Sequence, residues 1–344
     1  MACNCGRAQR AGSGRQAARA AFYSGEPELD DEAFELGTAS GYSSSSPEWS
    51  DAELQYSIVV SPTSLGDSRF RIPARTSRPT TLQFPFDTIC FLEMTDAKGS
   101  RFTGSGTLIA PQVVLTAKHC LERVAPPRCR KARARGTPFS RVQVTPGADL
   151  SATTAAKQRP AHPSSQTATP ARFRVDPDLD YGVIILPRPF SRPSRFMLLQ
   201  PRSDPGSATL LTIAGYPCDK PRGTMWGHSE RVPVRGVSAT HLSYPIDTCP
   251  GHSGSPVWLL GNNGIRLLLG VHTTGAVRAS GSRCENNPTR TRCVRTGAPT
   301  TAVRGDNCGV RITCAVIDNI LRWCKEFKVR EPQIDKSVYK SRCR

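Results

Sequence analysis

No apolar run in this sequence reaches the roughly 18 residues that a membrane-crossing helix requires, so a spanning helix is excluded. Nor do the first 30 residues, beginning MACNCGRAQRAGSGRQAARAA, contain the apolar stretch of about 7 to 15 residues found in a signal peptide. No C-x-x-C pair stands with a matching His or Cys set, which removes the common zinc sites. Aromatic residues make up only 7% of the chain, and no motif interleaves them with the Arg-rich runs. A nucleic-acid-binding protein is therefore not expected, despite the basic charge. Long apolar patterns at helix spacing are scarce, and no internal repeat is visible.

Gly and Pro are abundant instead, 28 and 29 of 344 residues, which points to many short strands joined by turns and hence to an all-β protein. The length fits one large domain, or two small ones with an appendage. Thirteen cysteines exceed what a cytosolic enzyme usually carries. They imply disulfides and an oxidising compartment, and the odd count leaves at least one thiol unpaired. The chain is expected to be soluble and secreted or extracellular, by a route or start site that this sequence does not display. Buried reduced thiols in a cytosolic protein are the alternative.

Charge is divided unevenly. Residues 1–57 hold four Arg and nine acids, net −5, so the remaining 287 residues carry +23 of the net +18. A basic body of this kind attracts acidic polymers or acidic protein substrates by long-range steering. The first 57 residues, including GYSSSSPEWSDAE, show no hydrophobic period and read as a largely disordered leader or propeptide. From Ile58 short apolar runs begin: TICFLEM (88–94), GTLIA (106–110) and VVLTA (113–117). A polar excursion rich in Pro, Arg, Ser and Thr occupies 126–172 and reads as a surface insertion; YGVIIL (181–186) follows as a buried strand. ATLLTIAGY (208–216), SPVWLL (255–260) and IRLLLGVHTTG (265–275) form a second set of strands, and a polar, cysteine-bearing loop spans 276–307. Apolar residues at Ile317, Ile320, Leu321, Cys324 and Phe327 have helix spacing and predict one C-terminal helix.

The strongest chemical signal is DTCPGHSGSPVW (247–258). A serine hydroxyl is a poor nucleophile at neutral pH, so a catalytic one needs a base at hydrogen-bond distance and N–H donors for the oxyanion. Gly251 lets the backbone turn tightly enough to aim the N–H groups of Gly251 and Ser253 at one point. G-x-S-G alone is also an ordinary turn. In GSGTLIAPQVVLTAKHCL (104–121), His119 follows an apolar strand; in DPDLDYGVIIL (176–186), Asp180 directly precedes one and is preferred to Asp178 and Asp176. A carboxylate there accepts the imidazole Nδ1–H and holds the productive tautomer. The order His119, Asp180, Ser253, at spacings of 61 and 73, fits a catalytic triad built by two consecutive β-barrels.

Across roughly residues 66–325 the chain resembles the glutamyl endopeptidase (V8-type) subfamily of chymotrypsin-fold, trypsin-like serine proteases. The strings that carry this are GDSRFRI (66–72), GSGTLIAP (104–111), LTAKHC (115–120), DYGVIIL (180–186), GYP with DKPRGTMW (215–226), YPIDT with PGHSGSPVW (244–258), GVHTTG (270–275) and VRIT (310–313). The resemblance implies two antiparallel six-stranded β-barrels with the site in the cleft between them, and no metal or organic cofactor. With it the domains read as leader 1–57, N-terminal barrel 58–195, and C-terminal barrel with helix and tail 196–344. The implied activity is a secreted, monomeric serine endopeptidase acting on protein or peptide substrates, cutting after Glu or Asp. Thr248 and His272 stand where the resembled family lines its primary pocket, and a hydroxyl and an imidazole can both donate to a substrate carboxylate. Another primary specificity, or a protease-like module that only binds, are the competing readings.

Further expectations concern this chain's departures and its cysteines. Lys118, at a position commonly Ala or Gly, is expected to depress the His119 pKa by charge repulsion if it lies close. Cys218 and Cys249 flank the substrate wall and are expected to pair; Cys120 with Cys90 or Cys129 is an equal alternative. Removal of the leader is expected near residues 57–61, where the resemblance implies that a new α-amino group helps form the pocket.

Overall fold

The structure, a computed structural model, describes residues 3–4, 69–73, 80–123, 136–150, 164–201, 209–232, 238–261, 264–274 and 307–343. These lie in one compact unit, Met1–Cys5 with Trp49–Arg344; the other unit, Gly6–Glu48, lies outside the described residues.

The apolar runs become strands as their composition dictates. In the first sheet, β3 (Ile89–Thr95) lies between β4 (Arg101–Ala110) and β8 (Arg141–Pro146). β5 (Val113–Thr116) joins β4 to β11 (Gly182–Ile185), whose outer neighbour is β10 (Phe173–Val175). β9 (Gln166–Ala168) closes the opposite edge on β8, and β1 (Cys3–Asn4) pairs with β4. β5 and β11 are buried at every position, which is why they read as continuous Val, Ile and Leu rather than as alternation. A two-stranded hairpin, β6 (Glu122–Arg123) with β7 (Thr137–Pro138), stands apart.

The second sheet runs in the order β15 (His241–Tyr244), β18 (Asn307–Arg311), β17 (Arg266–Thr274), β16 (Pro256–Leu260), β13 (Thr209–Gly215), β14 (Met225–Val232) and β2 (Phe70–Ile72). β12 (Leu198–Leu199) lies parallel to β17. β2 precedes every long strand of the first sheet in sequence yet pairs with β14.

The fold is all-β with two sheets, antiparallel except for the β12–β17 pair, but each counts eight strands rather than the expected six. One apolar cluster belongs to the first sheet, including Leu92, Val114, Val142 and Ile184. A second fills the other sheet, with Ile213, Val257 and Leu269. The largest draws on both, from Phe91 and Tyr181 to Tyr216, Trp258 and Val271, and extends to the helix residues Ile317 and Trp323. Truncating a fully buried side chain such as Leu92 to Ala is worth about 2–5 kcal/mol of stability.

Helix α1 (Cys314–Phe327) realises the expected apolar spacing. Thr313 caps it by accepting from the Val316 N–H, and Lys328 ends it in a left-handed conformation, φ 53°. A second helix, α2 (Lys336–Arg342), was not expected; Asp335 caps it, and the Cys314–Cys343 disulfide ties its end to the start of α1.

Other readings change. The excursion at 126–172 contains β7, β8 and β9, so it is not simply an insertion. β8 buries Val142 and Val144 and turns Arg141 and Gln143 outward, a two-residue alternation that the surrounding Arg and Pro had obscured. Cys90 and Cys120 are free, buried thiols, which removes the pairing proposed for them. Cys218 and Cys249 are both disulfide-bonded. Cys314 bridges to Cys343. The leader, its cleavage region at 57–61 and the loop 276–306 lie outside the described residues, apart from β1.

Candidate active site

His119 sits in a short 3-10 turn (Lys118–Cys120) directly after β5, and Asp180 directly before β11, the strand paired with β5. Adjacent strands thus deliver both side chains to one end of the sheet. His119 Nδ1 lies 2.8 Å from Asp180 Oδ2, and the His119 backbone N–H donates to Asp180 Oδ1 at 3.0 Å. Burial alone would discharge the imidazole, but the Asp180 carboxylate beside it raises its pKa to about 9. Burial likewise works against the carboxylate, yet His119 and its N–H hold Asp180 down to about 2. The other ring nitrogen, Nε2, is buried without a hydrogen-bond partner. It is the atom that a base of this kind would use.

Ser253 lies in the turn between β15 and β16, pressed against the first sheet. Its carbonyl accepts from the Ser105 N–H at 2.8 Å and from the Cys120 thiol, the neighbour of His119, at 3.5 Å. Ser105 Oγ donates to the Gly251 carbonyl at 2.7 Å and accepts from the Tyr216 N–H at 2.9 Å, tying β4 to the turn. Positive φ at Gly251 (100°) and Gly254 (87°) is what the turn demands. A Cβ at 251 would meet Tyr216 O at 2.4 Å and one at 254 would meet Ser105 O at 2.0 Å, so no other residue fits. The N–H groups of His252, Gly254 and Ser255 are spent on Cys249, His272 and His252 carbonyls. Among the described residues no partner takes the N–H of Gly251 or Ser253. No hydrogen bond joins His119 to Ser253, as is common in an unliganded site.

The pocket candidates flank this turn. Thr248 is buried and its Oγ1 has no partner. His272, on β17, holds the turn through main-chain bonds with Gly254 and Ser255, and its Nδ1 lies 2.8 Å from the Tyr244 hydroxyl. Burial, with the neighbouring His252 adding to it, keeps His272 well below the ordinary range and therefore neutral. His252 is also neutral: burial and the nearby Arg69 lower it to about 4.

A family model described as a trypsin-like peptidase domain matches residues 104–264. The chain is similar to that family over just under half of its length. It is 27% identical over 225 residues to a glutamyl endopeptidase of Bacillus licheniformis, covering 64% of this chain and 58% of that protein. It is also 27% identical over 235 residues to an extracellular metalloprotease of Bacillus subtilis, covering 65% and 66%. The chain thus spans under two thirds of the length of both relatives. A solved Glu endopeptidase structure superposes with a TM-score of 0.50 at 20% identity, over 79% of this chain and 99% of that one, which shows a shared chymotrypsin-like fold.

The sequence had named the candidate site residues but not those that hold them. Asp176, a rejected alternative, is committed away from His119. It accepts from the N–H groups of Asp178 and Leu179, from the Tyr181 hydroxyl and from Asn319 on α1. Arg69, in the GDSRF string, is buried and paired with Asp219 (2.9 and 2.5 Å), with Asp247 at 3.8 Å. It bridges β2 to the wall next to Thr248. Lys118 points away from the imidazole: its ammonium donates to the carbonyls of Asp176 (2.6 Å) and Pro177 (3.1 Å), with Glu122 at 3.8 Å. Lys118 is not among the groups that set the His119 pKa, so the depression expected of it if it lay close is not seen; the Asp180 carboxylate raises the imidazole instead. Among the described residues no group of three or more His, Cys, Asp or Glu is arranged to hold a metal.

Proposed function

We propose that this protein is a serine endopeptidase in which Ser253 Oγ attacks the scissile carbonyl. The observation that carries this is the His119–Asp180 pair, with one imidazole nitrogen committed to the carboxylate and the other unspent beside the Ser253 turn. His119 Nε2 takes the serine proton as the acyl carbon becomes tetrahedral. It then returns that proton to the leaving amine, while water repeats the sequence to free the acid. Asp180 keeps the imidazole in the correct tautomer and offsets its charge. The uncommitted N–H groups of Gly251 and Ser253 suit the oxyanion, which needs donors not already engaged.

The preferred substrate is a protein or peptide with Glu, or Asp, before the scissile bond. Thr248 Oγ1 supports this, because a buried hydroxyl left unpartnered costs about 1–3 kcal/mol and a substrate carboxylate would satisfy it. A neutral His272 can donate to an anion without itself carrying a buried charge in the empty site, and the +23 body steers acidic chains inward. One relative is named a glutamyl endopeptidase, which supports the Glu preference; the other, though named a metalloprotease, is called extracellular, which supports secretion here.

Ser253→Ala is expected to abolish cleavage of a chromogenic Glu substrate, by several orders of magnitude, with unchanged folding. Fluorophosphonate should label wild type and not the variant. Retained activity in Ser253→Ala, or loss of wild-type activity to a chelator alone, would refute a serine mechanism.

A further inference from the structure

We propose that Lys118 is a positioning residue for the catalytic carboxylate, acting with Asn319 of the C-terminal helix as a two-sided clamp on the loop 176–181. In front, the Lys118 ammonium bonds the backbone carbonyls of Asp176 and Pro177. Lys118 is covalently next to His119, so this contact ties the loop carrying Asp180 to the segment carrying its imidazole partner. Behind, Asn319 Nδ2 donates to Asp176 Oδ2 at 3.0 Å and contacts the Tyr181 hydroxyl at 2.8 Å. Tyr181, which follows Asp180, closes the triangle by donating to Asp176 Oδ2 at 3.0 Å and packs its ring on Trp323 of α1 at 5.9 Å. Asp176 Oδ1 meanwhile holds the N–H groups of Asp178 and Leu179, fixing the turn itself.

The geometry assigns Lys118 a role opposite to that of a bare charge. A cation next to an imidazole lowers its pKa; a cation that holds a carboxylate in place raises it. Asp180 has a side chain 36% exposed, so it is not held by enclosure, and its distance from His119 depends on the loop backbone. Among the described residues the other charged or titratable groups about His119 are Cys120 in its own turn, Glu122 beyond it, Asp176 across the loop, and His272 on β17, with His241 on β15 within electrostatic reach of Asp180; the chain's amino terminus also acts to lower His119. None of these side chains bonds the loop 176–180 from the His119 side as Lys118 does.

The inference rests on the proposed triad, and the test separates the two. Lys118→Met, Lys118→Arg and Asn319→Leu are compared with wild type for kcat, KM and the acid limb of kcat/KM, with fluorophosphonate titration and thermal melting to count folded sites. Lys118→Met and Asn319→Leu are expected to lose about 10-fold or more in kcat with little change in KM, because a small misplacement of a catalytic group has effects of this order. Their acid limb should move down toward 6.5, and Lys118→Arg should keep both properties near wild type. An acid limb in Lys118→Met that stays put or moves up would overturn the inference whatever the rate, since loss of a bare repelling charge predicts that direction. Asn319→Leu provides the same readout from the far side if Lys118→Met does not fold. A wild-type protein that neither hydrolyses peptides nor reacts with fluorophosphonate would instead sink the triad.

Discussion

His119 and His272 are supplied by the first and the second sheet, and burial acts on both in the same direction. Only His119 has a carboxylate within hydrogen-bond distance, at 2.8 Å; His272 has the neutral Tyr244 hydroxyl at the same distance. The first is consequently raised and the second held well below the usual value. One imidazole is thus prepared to accept a proton and keep it during the reaction. The other stays neutral, which suits the proposed role of donating to a substrate without changing charge. The partner atom, not the degree of enclosure, decides which task each performs.

The largest way to break this contrast is to remove the charge beside the first imidazole. Asp180→Asn preserves shape but favours the wrong tautomer, and kcat is expected to fall by about 10⁴-fold. A loss below tenfold, measured at saturating Glu substrate, would mean that Asp180 does not orient His119. At the second, His272→Leu should reduce kcat/KM on Glu substrates by about 10-fold or more, since a hydrogen bond to a charged group contributes roughly 1.5–3 kcal/mol. An equal loss on Phe or Leu substrates would show that the imidazole supports the turn rather than specificity. The smallest effect sharpens the comparison through pH. His119 must be neutral to act as base, so kcat/KM should fall as pH drops through its raised pKa, placing the acid limb between 6.5 and about 9. Because Asp180 is about a third exposed and screened by solvent, the lower part of that window is expected. His272, neutral throughout, should add no limb of its own between pH 5 and 8. A limb at or below 6.5 would cancel the distinction between the two imidazoles.

The candidate site was readable from the sequence because its information is local. Short strings place His119 after one strand and Asp180 before another, and β5–β11 pairing brings them together. The glycines around Ser253 announced the turn for the same reason. What was not readable depends on distant partners. The sequence gives no sign that Lys118 reaches carbonyls 58 and 59 residues away, or that Asn319 meets Asp176 across 143. Lys118 therefore looked like a repelling charge, when its direction, set by the loop 176–178, makes it a tether. Cysteine pairing failed similarly: Cys90 and Cys120 lie buried and reduced, and nothing in their spacing distinguishes them from Cys314 and Cys343. β8 was missed for a local reason, since Val142 and Val144 alternate within a stretch whose composition suggested loop.

Phe70–Ile72 has a consequence for any attempt to divide this protein. The boundary drawn at 195 and 196 treats the halves as consecutive pieces of chain, but the last strand of the second sheet comes from upstream of the first. A fragment beginning at 196 would leave Met225–Val232 with an open row of backbone donors and acceptors, along with the Ile72 site in the core vacated. Such an edge recruits other copies of itself, so the fragment would tend to aggregate where the intact chain does not. Supplying residues 69–73 as a separate peptide would restore the missing edge. The two halves are thus laced together in sequence as well as in space, and a recombined or circularly permuted form should keep this strand with the second sheet rather than with its neighbours in the chain.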